Sequence, residues 1–277
     1  MSTKILVLGN GYMGQRIREA LGCSVEEQRI SSLADAQKVL AKHKPEILIN
    51  AVGFTGGGSV DGCEADLEKT IFSNTFVPLL LAEACLRNQV KLVHISSGCI
   101  YHFDYKKGQR PINETQIPDY FDLYYSRTKI YSEQPLVNLS RAYDILITRI
   151  RIPLDDRPHP KNILSKLIQY KRVIDIPNSV TYVPDFLAAL KHLLKIKARG
   201  LYNIVNKGTL RYPQLLKCYQ KHVPDFRFER ISYASLKMNR TNLALSCKKL
   251  EDSGFKIRPI SAVLEEAVNG FLRRSNN

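Results

Sequence analysis

The chain has 277 residues and is easiest to enter through what it lacks. Its six cysteines (Cys23, Cys63, Cys85, Cys99, Cys218, Cys247) form no CxxC pair. Scattered in this way they read as reduced thiols, and a cytoplasmic setting is expected. The histidines have no metal-ligand spacing, so no metal is expected. No apolar run is long enough to span a bilayer; "FVPLLLAEACL" is short and interrupted by Pro78 and Glu83, so no membrane association is expected. The chain enters an apolar strand at residue 4, and we expect no cleaved targeting segment. There are no internal repeats and no low-complexity tracts.

Acidic residues are scarce, 26 Asp and Glu against 41 Lys and Arg, for a formal charge of +15. The basic residues are spread through the chain, more densely after residue 145, without a basic tail. This pattern argues against nucleic acid and suits an enzyme acting on a phosphate-bearing small molecule.

The first half alternates apolar strands ("KILVLG", "PEILINAVG", "KLVHISSG", "YDILITRIRIP") with helical patterns. "SLADAQKVLAKH" opens with an S-x-x-D cap, "EADLEKTIFSNTFVPLLLAEACLRN" reads as one long helix, and "YYSRTKIYSEQPLVNLS" as a helix kinked at Pro135. The alternation predicts an α/β, Rossmann-like, doubly wound parallel sheet. After Pro153 the composition changes to proline, lysine and short segments. We therefore expect a core over residues 1–153 and a smaller, mainly substrate-binding region over 154–277, with core segments returning at about 173–206.

Three motifs carry chemistry. "GNGYMG" places Gly9, Gly11 and Gly14 in a GxGxxG turn directly after the first strand, the arrangement that seats a dinucleotide pyrophosphate on a helix N-terminus. Glu26 or Glu27 would suit the ribose of NAD, and Arg29 with Ser31 or Ser32 the 2′-phosphate of NADP. We favour NADPH, with NADH as the alternative. "YYSRTK" gives Tyr125-x-x-x-Lys129, which puts a phenol and an ammonium on one helix face, where the cation favours the phenolate. Tyr124 competes for the role, but only Tyr125 has a lysine four residues on. Such a tyrosine can exchange a proton with a carbonyl oxygen as hydride moves, and in "VHISSGCIY" Ser97 ends a strand and can donate to that same oxygen. Strand periodicity turns Cys99 to the same side as Ser97. A buried cysteine is also an ordinary packing residue, which is the reading for Cys63, Cys85, Cys218 and Cys247.

Together these motifs resemble the extended short-chain dehydrogenase/reductases, which modify nucleotide sugars. "NAVGFTGGGSVDGCE", "SSGCIY", "YYSRTK", "RIRIP", "NILSKLIQYKRVIDIPNSVT" and "GLYNIVN" are similar to the plant and viral bifunctional UDP-4-keto-6-deoxyglucose 3,5-epimerase/4-reductases, and the resemblance covers nearly the whole chain. Two positions depart from that pattern. The family's first phosphate-turn glycine lies one residue earlier, and its tryptophan before "CE" is Gly62 here.

The resemblance implies conversion of UDP-4-keto-6-deoxy-D-glucose to UDP-L-rhamnose with NADPH, by a homodimer. It implies Ser97, Tyr125 and Lys129 for reduction, and Cys99 with Lys166 for proton exchange at C3 and C5. The implied cofactor residues are Gly9, Asn10, Gly11, Tyr12, Met13, Gly14, Arg29, Asn50, Ala51, Val52, Tyr125 and Lys129. Those for substrate are Thr55, Gly56, Ser97, Cys99, Tyr125, Asn162, Asn178, Ser179 and Arg240. Arg149, Arg151 and Arg240 are candidates for a phosphate. Two rivals remain open, a reductase-only dTDP-4-keto-rhamnose reductase and a non-catalytic NADP-binding regulatory subunit.

Overall fold

A computed structural model describes residues 3–235 and 240–275. The chain forms two compact units. The first comprises residues 1–100, 118–149 and 193–202; the second comprises 101–117, 150–192 and 203–277.

The first unit is built on β1 (Ile5–Leu8), β2 (Ser24–Glu26), β3 (Ile47–Asn50), β4 (Lys91–Ser97), β5 (Ile145–Ile150) and β6 (Gly200–Asn203), in the sheet order β6-β5-β4-β3-β1-β2. β1 pairs in parallel with β2 and β3, and β3 with β4; the register sets Leu8 beside Asn50 and Asn50 beside His94. β3 and β4 are buried along their whole length, as a sheet covered on both faces requires. The helices are α1 (Tyr12–Leu21), α2 (Leu33–His43), α3 (Val77–Arg87) and α4 (Tyr124–Leu139). Leu6, Leu8, Leu48, Leu81, Leu92, Leu136 and Ile147 belong to one apolar core. The strand order reverses between β1 and β3, and in open α/β sheets the crevice at that reversal takes the ligand.

Local signals place several elements where the sequence puts them. Ser32 caps α2 and accepts from the Asp35 amide at 3.2 Å. α4 runs from Tyr124 to Leu139 with Pro135 inside it. The long helix expected over 64–88 is instead broken. Asp66 caps a new turn, accepting from Lys69 N–H at 3.1 Å, and residues Phe72–Phe76 form a π-helical turn before α3. That turn aims Asn74 inward, which a uniform helix would not do.

The second unit has its own core, with Leu154, Leu164, Val173, Tyr182, Leu215, Val263 and Phe271 among its members. Its strands are short pairs, Arg172–Ile174 with Glu229–Ile231, Pro177–Asn178 with Leu210–Arg211, and Pro153–Leu154 with Thr181–Tyr182. These pairings keep 172–182 in the second unit, so the segment that returns to the first is 193–202, shorter than expected from sequence. Residues 101–117 also belong to the second unit, held by a bridge between Ile112 and Leu245 and by Glu114 accepting from the Asn203 amide at 2.8 Å. No helix of the described residues is long and apolar enough to cross a membrane.

Candidate active site

Each glycine of the first motif has a separate reason to be glycine. Gly9 adopts φ +97°, a region that side chains disfavour. A Cβ on Gly14 would lie 1.9 Å from the Gly9 carbonyl oxygen, so only glycine lets α1 start so close to the strand. Gly11 faces open space, with nothing within 4 Å of a built Cβ. It is also the N-cap of α1, which has no side-chain cap and no acidic residue in its first turn. Uncapped N–H groups at an open, glycine-lined helix end suit a pyrophosphate.

Further along the crevice, Gly9, Glu27, Gln28, Arg29, Val52 and Phe72 line a cavity. Glu26, a candidate for the NAD ribose, is otherwise engaged. It accepts from Lys42 Nζ and His43 Nε2, both at 2.7 Å, and these hydrogen bonds pull its carboxyl down to about 2. Ser31 and Ser32 are committed as well, because both hydroxyls donate to Asp35, at 2.6 and 3.0 Å. Arg29 and Glu27 are thus the charged groups left facing the cavity. Glu27 accepts from the Asn10 amide at 2.7 Å. Tyr12 is buried and Met13 half-buried at the start of α1. Asn50 is fully buried and caps the loop after β3, its side-chain oxygen accepting from the Val52 amide at 3.0 Å, while the Ala51 amide continues the sheet to Leu8 O.

Ser97, Tyr125 and Lys129 are all buried in the first unit. Tyr125 and Lys129 come from the first turns of α4, and Ser97 from the last position of β4. Since β4 ends at Ser97, strand periodicity does not set the direction of Cys99. A local turn does. The Cys99 amide donates back to Ser97 Oγ at 3.2 Å, and the Cys99 carbonyl accepts from Ser126 Oγ at 2.5 Å. Cys99 is therefore tied by its backbone to Ser97 and to the first turn of α4, with its side chain half-buried.

Lys129 sits beneath Tyr125. Burial is the main influence on it and brings its ammonium down to about 8, while Glu133 and Cys63 pull the other way. A Cβ on Gly53 would lie 3.4 Å from both Lys129 Nζ and Asn74 Oδ1, so the loop after β3 runs within contact distance of the lysine. Asn74 holds that loop in place by accepting from Phe54 N–H and donating to Phe54 O, both at 2.9 Å. The loop carries half-buried Thr55 and then Gly56 at φ +71°. A Cβ on Gly62 would meet Gly56 O at 2.2 Å, so a tryptophan at 62 is incompatible with this turn. The missing tryptophan is thus part of a remodelled, glycine-on-glycine loop.

Sequence reasoning did not single out Asn74, Glu64 or Glu133. Glu64 accepts from the Tyr124 amide at 2.6 Å, capping α4 from sixty residues away. Glu133 lies one turn beyond Lys129, and that i+4 spacing was the signal available for it.

In the second unit, Lys166 is half-buried on the short helix Ile163–Leu167. Burial first, then the charges of Lys161 and Arg240, lower its ammonium below the usual lysine value. Arg240 is half-buried too, and its carbonyl accepts from Tyr233 OH at 2.8 Å.

Other candidates prove structural. Asn162 donates to Asp155 O and Arg157 O and accepts from Asp155 N–H and Leu164 N–H, all within 2.8–3.2 Å, so its amide has nothing left to offer a ligand. Asn178 accepts from Arg151 at 2.8 Å and from Leu243 N–H at 3.1 Å and donates to Asn242 at 2.8 Å. Ser179 accepts from Leu245 N–H at 2.8 Å. Both fasten the 241–245 segment from inside the second unit. Arg151 is buried and bound to Thr241 as well, and Arg149 is fully buried against Glu133. Neither Arg149 nor Arg151 offers a surface for a phosphate.

Known proteins bear on this geometry. The family described as RmlD substrate binding domain matches residues 3–271. A trifunctional UDP-glucose 4,6-dehydratase/UDP-4-keto-6-deoxy-D-glucose 3,5-epimerase/UDP-4-keto-L-rhamnose-reductase of Arabidopsis thaliana is 30% identical over 247 residues, covering 83% of this chain. The chain spans 36% of that relative's length. A bifunctional dTDP-4-dehydrorhamnose 3,5-epimerase/dTDP-4-dehydrorhamnose reductase from the same plant is 30% identical over 234 residues, 82% of this chain and 74% of its own. The solved UDP-rhamnose synthase of Acanthamoeba polyphaga mimivirus superposes with a TM-score of 0.90 at 24% identity, covering 98% of this chain and all of that one. A Bacillus anthracis dTDP-4-dehydrorhamnose reductase in complex with NADP superposes at 0.79 with 19% identity, over 96% and 98% of the two chains. The chain belongs to the RmlD-like branch of the extended short-chain dehydrogenase/reductases.

Proposed function

We propose that this protein is an NADPH-dependent nucleotide-sugar 3,5-epimerase/4-ketoreductase that converts UDP-4-keto-6-deoxy-D-glucose to UDP-L-rhamnose. The observation that carries the reading is the group formed by Ser97, Cys99, Tyr125 and Lys129 at the end of β4 and the start of α4. The plant relatives and the viral structure, named for these activities, support it.

A dinucleotide would supply the hydride for C4, and Gly9, Gly11, Gly14 and the N-terminus of α1 would hold its pyrophosphate. Arg29 is the cation at the cavity that would hold a 2′-phosphate, with Glu27 beside it engaged by the Asn10 side chain. Ser97 donates to the C4 oxygen, and Tyr125 delivers its phenolic proton there as the oxygen gains charge. Protonated Lys129 makes the phenol a better acid and stabilises the phenolate left behind.

Before reduction, the C3 and C5 hydrogens are acidified by the C4 ketone. Cys99 is the group the first unit offers for proton exchange at these centres, and the sequence resemblance implies Lys166 for the opposite proton. Burial and the neighbouring cations lower the Lys166 ammonium, the direction in which a lysine becomes a better proton acceptor. Leu67 and Phe76, each about half exposed, give the expected homodimer an apolar surface; light scattering at twice the chain mass would support it, and monomer mass would not.

Turnover by single variants tests the assignment. Tyr125→Phe removes the proton donor and is expected to lower ketone reduction by about 10²–10⁴-fold. Cys99→Ala is expected to stop conversion of UDP-4-keto-6-deoxy-D-glucose while still reducing UDP-4-keto-L-rhamnose supplied ready-epimerised. Equal loss on both substrates would assign Cys99 to packing.

A further inference from the structure

We propose that Glu133 is a positioning residue of this site, the buried counter-charge shared by Lys129 and Arg149. α4 places Tyr125, Lys129 and Glu133 four residues apart on one face, all buried. Glu133 is fully buried and accepts from Arg149 Nε at 2.9 and 3.0 Å and from a terminal guanidinium nitrogen at 2.5 Å. Its Oε2 also accepts from Ser96 Oγ at 2.6 Å, the residue directly before Ser97. One carboxylate thus joins the helix carrying Tyr125 and Lys129 to the strand end carrying Ser97 and to β5 through Arg149.

The groups around Lys129 single out Glu133 as its anion. On β4, His94 is kept neutral by burial and by the charge of Lys129. Cys63, on the turn Gly62–Ala65, is kept a thiol chiefly by burial. Tyr125 on α4 is a phenol in the state that donates, and Arg149 on β5 is a second cation. Among the described residues facing Lys129, Glu133 is the carboxylate, and it offsets part of the burial that depresses the lysine. Without it, two cations would share a dry interior, a situation relieved most cheaply by loss of the Lys129 proton. Reduction needs that proton in place, so Glu133 sets the upper pH at which the site works.

The test reads Lys129 directly by NMR of chain with isotope-labelled lysine side chains, the signal assigned by its disappearance in Lys129→Arg. Wild-type Lys129 is expected to titrate near about 8. In Glu133→Gln the midpoint is expected to fall by about one pH unit or more. In Ser96→Ala, which keeps the charge, it should stay in place. An unmoved midpoint in Glu133→Gln overturns the proposal. Should that variant not fold, Arg149→Met leaves Glu133 to Lys129 alone and removes the competing cation. A raised midpoint there supports the proposal, and an unmoved or lowered one overturns it. A kinetic arm rests on the reductase reading: the alkaline limb of ketone reduction should move down with the midpoint in Glu133→Gln. Absence of turnover in wild type would count against the reductase reading, while the NMR titration would still decide the role of Glu133.

Discussion

Lys129 shows at the level of one residue how packing produces a chemical property. Burial lowers its ammonium from the usual lysine value to about 8, and Glu133 limits the fall. Ketone reduction needs Lys129 protonated and Tyr125 as the phenol, so kcat/KM for reduction is expected to be flat below about pH 8 and to decline above it. A profile still rising at pH 9 would contradict this role. The linkage to stability runs the opposite way. With a folded value below the unfolded one, the unfolded chain binds more protons between about 8 and the ordinary lysine value. The cost of burying this charge is therefore present at neutral pH and is relieved as pH rises through that window. Some local geometry was legible in the sequence, namely the tight turn at Gly9 and Gly14 and the placing of Tyr125 and Lys129 on one buried helix face. Arg149, Arg151 and Asn178 were misread as ligand groups because their partners are distant in sequence. Nothing near Arg151, for example, announces Asn178 or Thr241.

Two hydrogen-bonded contacts of the elements around the site make separable predictions. Asn74, on the π-helical turn, fixes the loop after β3 through both hydrogen bonds to Phe54. Asn74→Ala should cost about 1–3 kcal/mol, read as a lower midpoint in urea unfolding with an unchanged slope. An unchanged midpoint would show that the loop is held by other contacts. Glu64 caps α4 from a distant loop, and Glu64→Ala should lose about 1 kcal/mol while Glu64→Gln retains most of it. Equal loss in both variants would mean that charge at the helix end, and not the hydrogen bond, is what Glu64 supplies. The sequence indicated a helix over 64–88 because its apolar spacing is nearly continuous. The break at Asp66 and the π turn depend on Asn74 reaching Phe54 and Thr128, which no helical period encodes.

At the scale of the whole molecule, two units interleave along one chain. The parallel sheet was legible because each strand–helix step is local. The membership of 101–117 was not, because it rests on pairings with residues about a hundred positions away or more, Leu245 among them. Most of the excess of Lys and Arg lies in the second unit. For a substrate carrying a diphosphate, such a field should raise capture at low ionic strength, so KM for the nucleotide sugar is expected to climb with added salt while kcat holds. A salt-independent KM would mean that this charge is not used for the substrate.

The central claim is that one site first exchanges protons at C3 and C5 and then reduces C4. It is tested most directly by incubating the protein with NADPH and UDP-4-keto-6-deoxy-D-glucose in deuterated water and reading the product by NMR and mass. The account predicts a rhamno-configured sugar with deuterium at both C3 and C5. Oxidation of NADPH with no deuterium at either carbon would contradict it.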